Sequence, residues 1–227
     1  MRYRINGTTL QTLDIILEQG ESVYTESGGM AWMMGNIDMT TNTRGGIVRG
    51  LARTLAGESL FLTTYTCQGT EALIVFTPEA PGSIVPVELA KGESRICQKD
   101  AFMVAEDGVE LEMHFRKRLG AGLFGGEGFI LQKITGPGTA WIEIAGEVRE
   151  YDLGPGQTMK VDPGHIAMYE PTVSYNIERV RGMKNMFFGG EGVFLATLKG
   201  PGRVWLQSLP LANLANKLQS YMTTSTS

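Results

Sequence analysis

The 227-residue chain is 42% hydrophobic and 19% charged, with a formal net charge of -4 and thirty glycines against nine prolines. That balance is ordinary for a globular protein and argues against a surface built throughout for nucleic acid, while the glycine content calls for many turns and many short strands. Cys67 and Cys97 stand thirty positions apart with no C-x-x-C pairing, which argues against a disulfide framework or a thiolate zinc site and for a reducing compartment.

From the start of the chain, Met1 to Leu17 carries Arg2 and Arg4 but no apolar run of signal-peptide length. No segment approaches about eighteen uninterrupted apolar residues, so the expectation is a cytoplasmic protein without a transmembrane segment. Leu17-Glu18-Gln19-Gly20-Glu21-Ser22 is the first copy of a short element that returns as Leu89-Ala90-Lys91-Gly92-Glu93-Ser94 and Leu153-Gly154-Pro155-Gly156-Gln157-Thr158, at offsets of 72 and 64 residues. Next, Met30, Met33, Met34 and Met39 gather around Trp32; such a group either forms an adaptable binding surface or, more commonly, fills irregular core space. Gly46 to Leu55 places Ile47, Leu51 and Leu55 four apart, the spacing of a short helix or a glycine-loosened loop.

A second repeated element begins at Gly57-Glu58-Ser59-Leu60-Phe61-Leu62 and returns as Gly126-Glu127-Gly128-Phe129-Ile130-Leu131 and Gly190-Glu191-Gly192-Val193-Phe194-Leu195, at offsets of 69 and 64 residues. Apolar runs of strand length follow at Ala72 to Phe76, Phe129 to Ile134, Ala140 to Ile144 and Val193 to Leu198. In the last two copies the strand runs into Gly136-Pro137-Gly138 and Gly200-Pro201-Gly202, with Trp141 and Trp205 three residues on; the first copy has Gly69 without the proline. Gly-Pro-Gly between two strands predicts a tight turn and hence one hairpin per copy. A lone hairpin is unstable in water, so the three copies are expected to pack their apolar faces together. After Pro210, Leu211, Leu214, Leu218 and Tyr221 fall on one helical face, which predicts a C-terminal helix over about 209–222.

Two elements in the same order and phase predict an all-β fold of three repeated β-units in a pseudo-threefold arrangement. The expected organisation is a single domain, 1–227, with repeats at roughly 1–80, 81–145 and 146–208 and a short C-terminal helix. The run Leu119 to Trp141, with its echoes at Leu51 to Leu62 and Phe188 to Trp205, resembles the altered-inheritance-of-mitochondria family. The resemblance covers about Tyr3 to Leu214 and implies a triplicated fold similar to the tryptophan RNA-binding attenuation protein, a short double-stranded β-helix or sandwich (TRAP-like). It implies no activity and carries over no site residue.

Several motifs invite a chemical reading. Gly120-Ala121-Gly122-Leu123-Phe124-Gly125 spells G-x-G-x-x-G but is followed by a strand rather than a helix, so an inter-strand turn is the better interpretation. His114 alternates with Glu110 and Glu112, placing an imidazole and two carboxylates on one strand face: a cation site or, more simply, a solvated face. His165 follows Pro163-Gly164 and reads as a turn. No nucleophile–base order appears, so no catalytic residue, metal ligand or cofactor is expected.

Glu58, Glu127 and Glu191 hold equivalent places as turn carboxylates, either clustered on an axis or bonded to their own turns. Ahead of them come Arg44, Arg49 and Arg53; Arg116, Lys117 and Arg118; and Arg179, Arg181 and Lys184, three basic patches that would meet an anionic partner or pair with the neighbouring glutamates. The functional expectation is a non-catalytic binding or scaffold protein. It is expected to be a homo-oligomer that engages an unidentified anionic or protein partner at Arg116, Lys117, Arg118, Arg179, Arg181 and Lys184. The alternatives are a small-molecule or metal-binding protein with undetected enzymatic activity, and RNA binding by fold analogy, which the negative charge disfavours.

Overall fold

The structure, a computed structural model, describes residues 1–26, 29–42, 62–117, 128–179, 194–219 and 221–222. In chain order its strands are β1 (Arg2–Asn6), β2 (Thr12–Glu18), β3 (Ser22–Glu26), β4 (Met30–Met34), β5 (Ile37–Asn42), β6 (Leu62–Cys67) and β7 (Glu71–Phe76). There follow β8 (Gly82–Leu89), β9 (Ser94–Gln98), β10 (Phe102–Glu106), β11 (Glu110–Lys117), β12 (Phe129–Thr135) and β13 (Gly138–Ala145). The last are β14 (Val148–Leu153), β15 (Thr158–Val161), β16 (Ile166–Tyr169), β17 (Ser174–Arg179), β18 (Phe194–Lys199) and β19 (Gly202–Gln207), before the helix α1 (Leu211–Gln219). The all-β expectation and the short C-terminal helix both hold. The expected helix or loop over Gly46 to Leu55 lies outside the described residues.

The chain forms two compact units, one comprising Met1–Glu93, Phe102–Glu110 and Thr135–Glu143, the other Ser94–Ala101, Leu111–Ile134 and Ile144–Ser227. In the first, a four-stranded sheet has the order β1-β2-β7-β4 and a six-stranded sheet the order β5-β6-β3-β10-β13-β8. In the second, a six-stranded sheet runs β11-β12-β9-β16-β19-β14 and a three-stranded sheet β15-β18-β17. The two six-stranded orders coincide when every strand number is advanced by six.

Each unit has its own apolar core. In the first, β2 alternates, burying Leu13, Ile15 and Leu17 while Asp14 and Ile16 face outward, as a strand with one buried face requires. The buried side chains pack with Ile74, Phe76 and Trp141. The Tyr24 hydroxyl donates to the Val109 carbonyl at 2.8 Å and the Thr25 hydroxyl to the Met103 carbonyl at 2.6 Å, so the buried polar groups of β3 are satisfied. In the second unit the core gathers Phe129, Leu131, Ile166, Tyr169, Leu198 and Val204. Full burial of an aliphatic side chain stabilises by roughly 1.5–3 kcal/mol, so these two clusters dominate the favourable side of folding.

The Leu-x-x-Gly element folds the same way at all three positions. Gly20, Gly92 and Gly156 take φ of 82°, 81° and 76°, conformations open to glycine. The residue after each bonds back across the turn: the Glu21 and Glu93 carboxylates and the Gln157 amide oxygen accept from the backbone N–H of Glu18, Ala90 and Gly154 at 2.8, 3.0 and 3.0 Å. Each turn then accepts one distant donor, with the N–H of Cys67, Gly136 and Gly200 reaching the carbonyls of Glu21, Glu93 and Gln157 at 3.0, 2.9 and 3.0 Å.

Those distant donors overturn the expected hairpins. The strands flanking each corner belong to different sheets: β6 and β7, β12 and β13, and β18 and β19 are not hydrogen-bonded neighbours. Gly138 and Gly202 do take positive φ, 134° and 140°, as the tight turn demands. However, the Gly136 and Gly200 N–H groups are committed to Glu93 and Gln157, and proline has no donor to close a hairpin, so the chain turns a corner from one sheet into another.

Candidate functional site

Of the six expected basic residues, the side chains of Arg116 and Lys117 are described. Arg116 is exposed on the outer face of β11. Beside it, the Lys117 ammonium is half-buried and donates to the Ile177 carbonyl of β17 at 2.6 Å, so part of its capacity ties two strands together. Arg118, Arg181, Lys184 and the Arg179 side chain lie outside the described residues, as do Glu58, Glu127, Glu191 and the Gly120–Gly125 string.

Glu110, Glu112, His114 and Arg116 are all exposed, the shared face that alternation predicts. Among the described residues no three His, Cys, Asp or Glu side chains gather as a metal site. Partial desolvation, and then the positive charge of Lys133, hold the His114 imidazole below its ordinary range. His165 closes a 3-10 turn, Pro163–His165, as expected, with Nδ1 2.7 Å from the Gln207 carbonyl.

Two further clusters were not foreseen. On the second unit, Arg203 bonds Asp152 through Nε at 2.9 Å, lies 3.8 Å from Glu150, and stacks its guanidinium 5.7 Å from the Trp205 ring. The charged groups are exposed on β14 and β19 over the buried Trp205 ring, and the arrangement is a cross-strand ion-pair ladder. Deeper in the same unit, Tyr175 stacks on Tyr169 and Phe129 with ring centroids 6.1 and 5.9 Å apart, and meets Phe115 edge-on at 5.2 Å. The Tyr169 and Tyr175 hydroxyls are buried without a hydrogen-bond partner among the described residues. Burial pushes both phenols well above their ordinary range, with Cys97 adding to the effect at Tyr169 and Tyr169 at Tyr175. Such phenols stay protonated and are poor acids or bases near neutrality.

The feature suited to binding is β4. Its five residues, Met-Ala-Trp-Met-Met, form the outer edge of the four-stranded sheet, hydrogen-bonded to β7 alone among the described strands. Met30 leans into the core, but Trp32 is 50% exposed, Met33 37% and Met34 65%, and Met39 on β5 is 45% exposed. The methionine group around Trp32 therefore lies largely at the surface instead of filling the core, the less common of its two sequence interpretations.

Edge strands expose unpaired backbone donors and acceptors and are ordinarily protected by charge or proline. Here β1 carries Arg2 and Arg4, β5 Asp38, β8 Pro86 and Glu88, and β11 Glu110, Glu112, Arg116 and Lys117. The edges β14, β15 and β17 carry Arg149, Lys160 and Glu178. Among the eight described sheet edges, β4 is the one with neither a charge nor a proline. The signal was present in the sequence as an uncharged Met-Ala-Trp-Met-Met run, but its edge position was not.

The sequence pattern of the family described as Mitochondrial biogenesis AIM24 matches residues 3–209. An uncharacterized protein of Streptococcus pyogenes is 30% identical over 234 residues, covering 99% of this chain and 92% of its own. A Streptococcus pyogenes protein solved by X-ray crystallography superposes with a TM-score of 0.78 at 28% identity, covering 97% of this chain and 99% of that one.

Proposed function

Because the chain belongs to the AIM24 family of mitochondrial biogenesis proteins, which by itself specifies no chemistry, we propose from its geometry that it is a non-catalytic binding scaffold that accepts an extended strand along β4. The observation that carries this is the uncharged apolar edge: among the described strands β4 is hydrogen-bonded to β7 alone, and Trp32, Met33 and Met34 are exposed on it. Strand addition draws affinity from main-chain hydrogen bonds and selectivity from the side chains alongside. Methionine suits such a surface because its flexible, polarisable side chain adapts to different partners. The scaffold comprises three repeated β-units in one cytoplasmic chain. Support for the repeats comes from the three like turns at Gly20, Gly92 and Gly156, and support for a reducing compartment from the buried thiols of Cys67 and Cys97, which are not joined by a disulfide. A second reading, an anionic partner at the basic rim, is supported by the exposure of Arg116.

The test uses tryptophan emission. Trp141 is fully buried and Trp205 is 7% exposed, so the long-wavelength emission reports Trp32. Titration with an extended peptide of alternating valine and threonine, carrying a terminal lysine for solubility, is expected to shift that emission to shorter wavelength and to slow amide hydrogen exchange at Ala31 to Met34. Unchanged emission together with unchanged exchange would refute the proposal.

A further inference from the structure

Resting on the reading of β4 as a strand-accepting edge, we infer that Met33 and Met34 are oxidation sites: a hydroperoxide turns the edge off, and a thiol-driven sulfoxide reductase turns it back on.

The first observation is where reachable sulfur lies. A peroxide oxidises a sulfur it can touch, so burial selects the targets. Cys67, Cys97, Met103 and Met168 are all buried. Met33 and Met34 on β4 and Met39 on β5 are exposed, three methionines within seven residues of chain. Elsewhere among the described residues exposed methionine occurs singly, at Met113 on β11 and at Met222 beyond α1.

The second is how two of these side chains flank the edge. Met33 pairs with Ile74 and Met34 with Leu73 on β7, and successive residues of a strand face opposite sides of its sheet. Met33 therefore lies on one face, and Met34 with Trp32 on the other. A strand added along β4 would have a thioether beside it on both faces, so no choice of register on the incoming strand avoids them.

The third is the chemistry of the change. The thioether sulfur attacks the distal oxygen of the hydroperoxide, and the O–O bond breaks as the S–O bond forms. The distal proton moves to the departing oxygen, which leaves as water or an alcohol; sulfur is oxidised by two electrons and the peroxide reduced by two. A polar sulfoxide then stands where a flexible apolar side chain stood, a change that disrupts methionine-rich surfaces. The return step consumes two thiols, which become a disulfide, and releases the oxygen as water. Losing two cross-strand apolar pairs, one on each face, weakens strand binding roughly two- to thirty-fold.

To test this, the full chain is treated with hydrogen peroxide, mapped by peptide mass spectrometry and titrated calorimetrically with the alternating valine and threonine peptide, which contains no sulfur. Met33 and Met34 should gain oxygen well before Met103 and Met168. The oxidised chain should keep its far-UV circular dichroism but bind roughly two- to thirty-fold more weakly. Dithiothreitol with both methionine sulfoxide reductases, one for each sulfoxide epimer, should restore binding. Met33→Leu with Met34→Leu keeps the apolar volume and should bind like the natural sequence before and after peroxide. Met33→Gln with Met34→Gln, polar without oxidation, should bind weakly from the outset. Oxidation of Met103 or Met168 as fast as Met33, undiminished binding once both β4 sulfurs are oxidised, or peroxide inactivation of the leucine variant would each overturn the inference. In those cases peptide uptake by the reduced chain leaves the strand-accepting scaffold standing. A reduced chain that takes up no peptide removes that reading, and the switch with it.

Discussion

Four glycines should separate backbone strain from steric crowding. At Gly92 and Gly156 a Cβ would meet nothing within 4 Å, so alanine there is opposed by the positive φ of 81° and 76° alone. A left-handed residue bearing a Cβ costs about 1–2 kcal/mol, and that is the loss expected for Gly92→Ala and Gly156→Ala. At Gly136 a Cβ would stand 2.5 Å from both the Leu89 and Ala90 carbonyl oxygens, and at Gly200 it would stand 2.5 and 2.6 Å from those of Leu153 and Gly154. These are backbone atoms that cannot rotate away, and the adjoining N–H groups are the donors that tie each corner to its turn. Overpacking of this sort costs about 1–3 kcal/mol or more, so Gly136→Ala and Gly200→Ala should each exceed their open-turn counterparts by at least about 1 kcal/mol. Urea unfolding followed by the summed emission of buried Trp141 and Trp205 reads each loss, with unfolding slopes compared before midpoints are converted to free energies. Equal losses at all four positions, or a larger loss at Gly92 than at Gly136, would refute the reasoning.

The two buried phenols make a second prediction. With no partner among the described residues, the Tyr175 hydroxyl contributes a desolvation cost without a compensating bond, so Tyr175→Phe should be neutral or stabilising by thermal melt. Because burial raises both phenols above the ordinary value of 10.0, the folded state holds its protons longer than the unfolded one. Their contribution is fully present below pH 10 and is lost as pH rises further, so the chain should lose stability there, and less steeply in the Tyr169→Phe variant. For His114 the sign is opposite: its folded value lies below the ordinary value of 6.5, so protonation favours the unfolded state and stability falls as pH drops through that range. The imidazole carbon protons should titrate below 6.5 by NMR, and Lys133→Met should raise the midpoint; an unchanged midpoint would remove the lysine as a cause.

Much of the fold was legible without coordinates because its signals are local. The period-two burial of β2, the continuous apolar run of β7 and the Leu211–Leu214–Leu218 stripe each follow from short-range spacing. The Leu-x-x-Gly turns were legible for the same reason: a positive φ selects glycine, and the Glu or Gln that follows finds its acceptor role within three residues. Alternation alone likewise put Glu110, Glu112 and His114 on one face. What the residues at Gly136-Pro137-Gly138 could not reveal is where the neighbouring N–H goes. A hairpin and a corner between sheets call for the same glycine and proline, and the choice is made by Glu93, far back along the chain.

The candidate site turned on the same distinction. By itself the sequence determined that Met30 to Met34 is an uncharged apolar run, because composition is a property of the residues themselves. Whether such a strand is core or surface depends on how many neighbours it acquires. Val104 and Met168 are buried and Trp32 is half exposed for that reason: β10 and β16 are flanked on both sides, whereas β4 has a partner only in β7 among the described strands. Hydrogen-bonded neighbours in a sheet come from distant parts of the chain, so which of the described strands ends a sheet was decided by the tertiary structure alone.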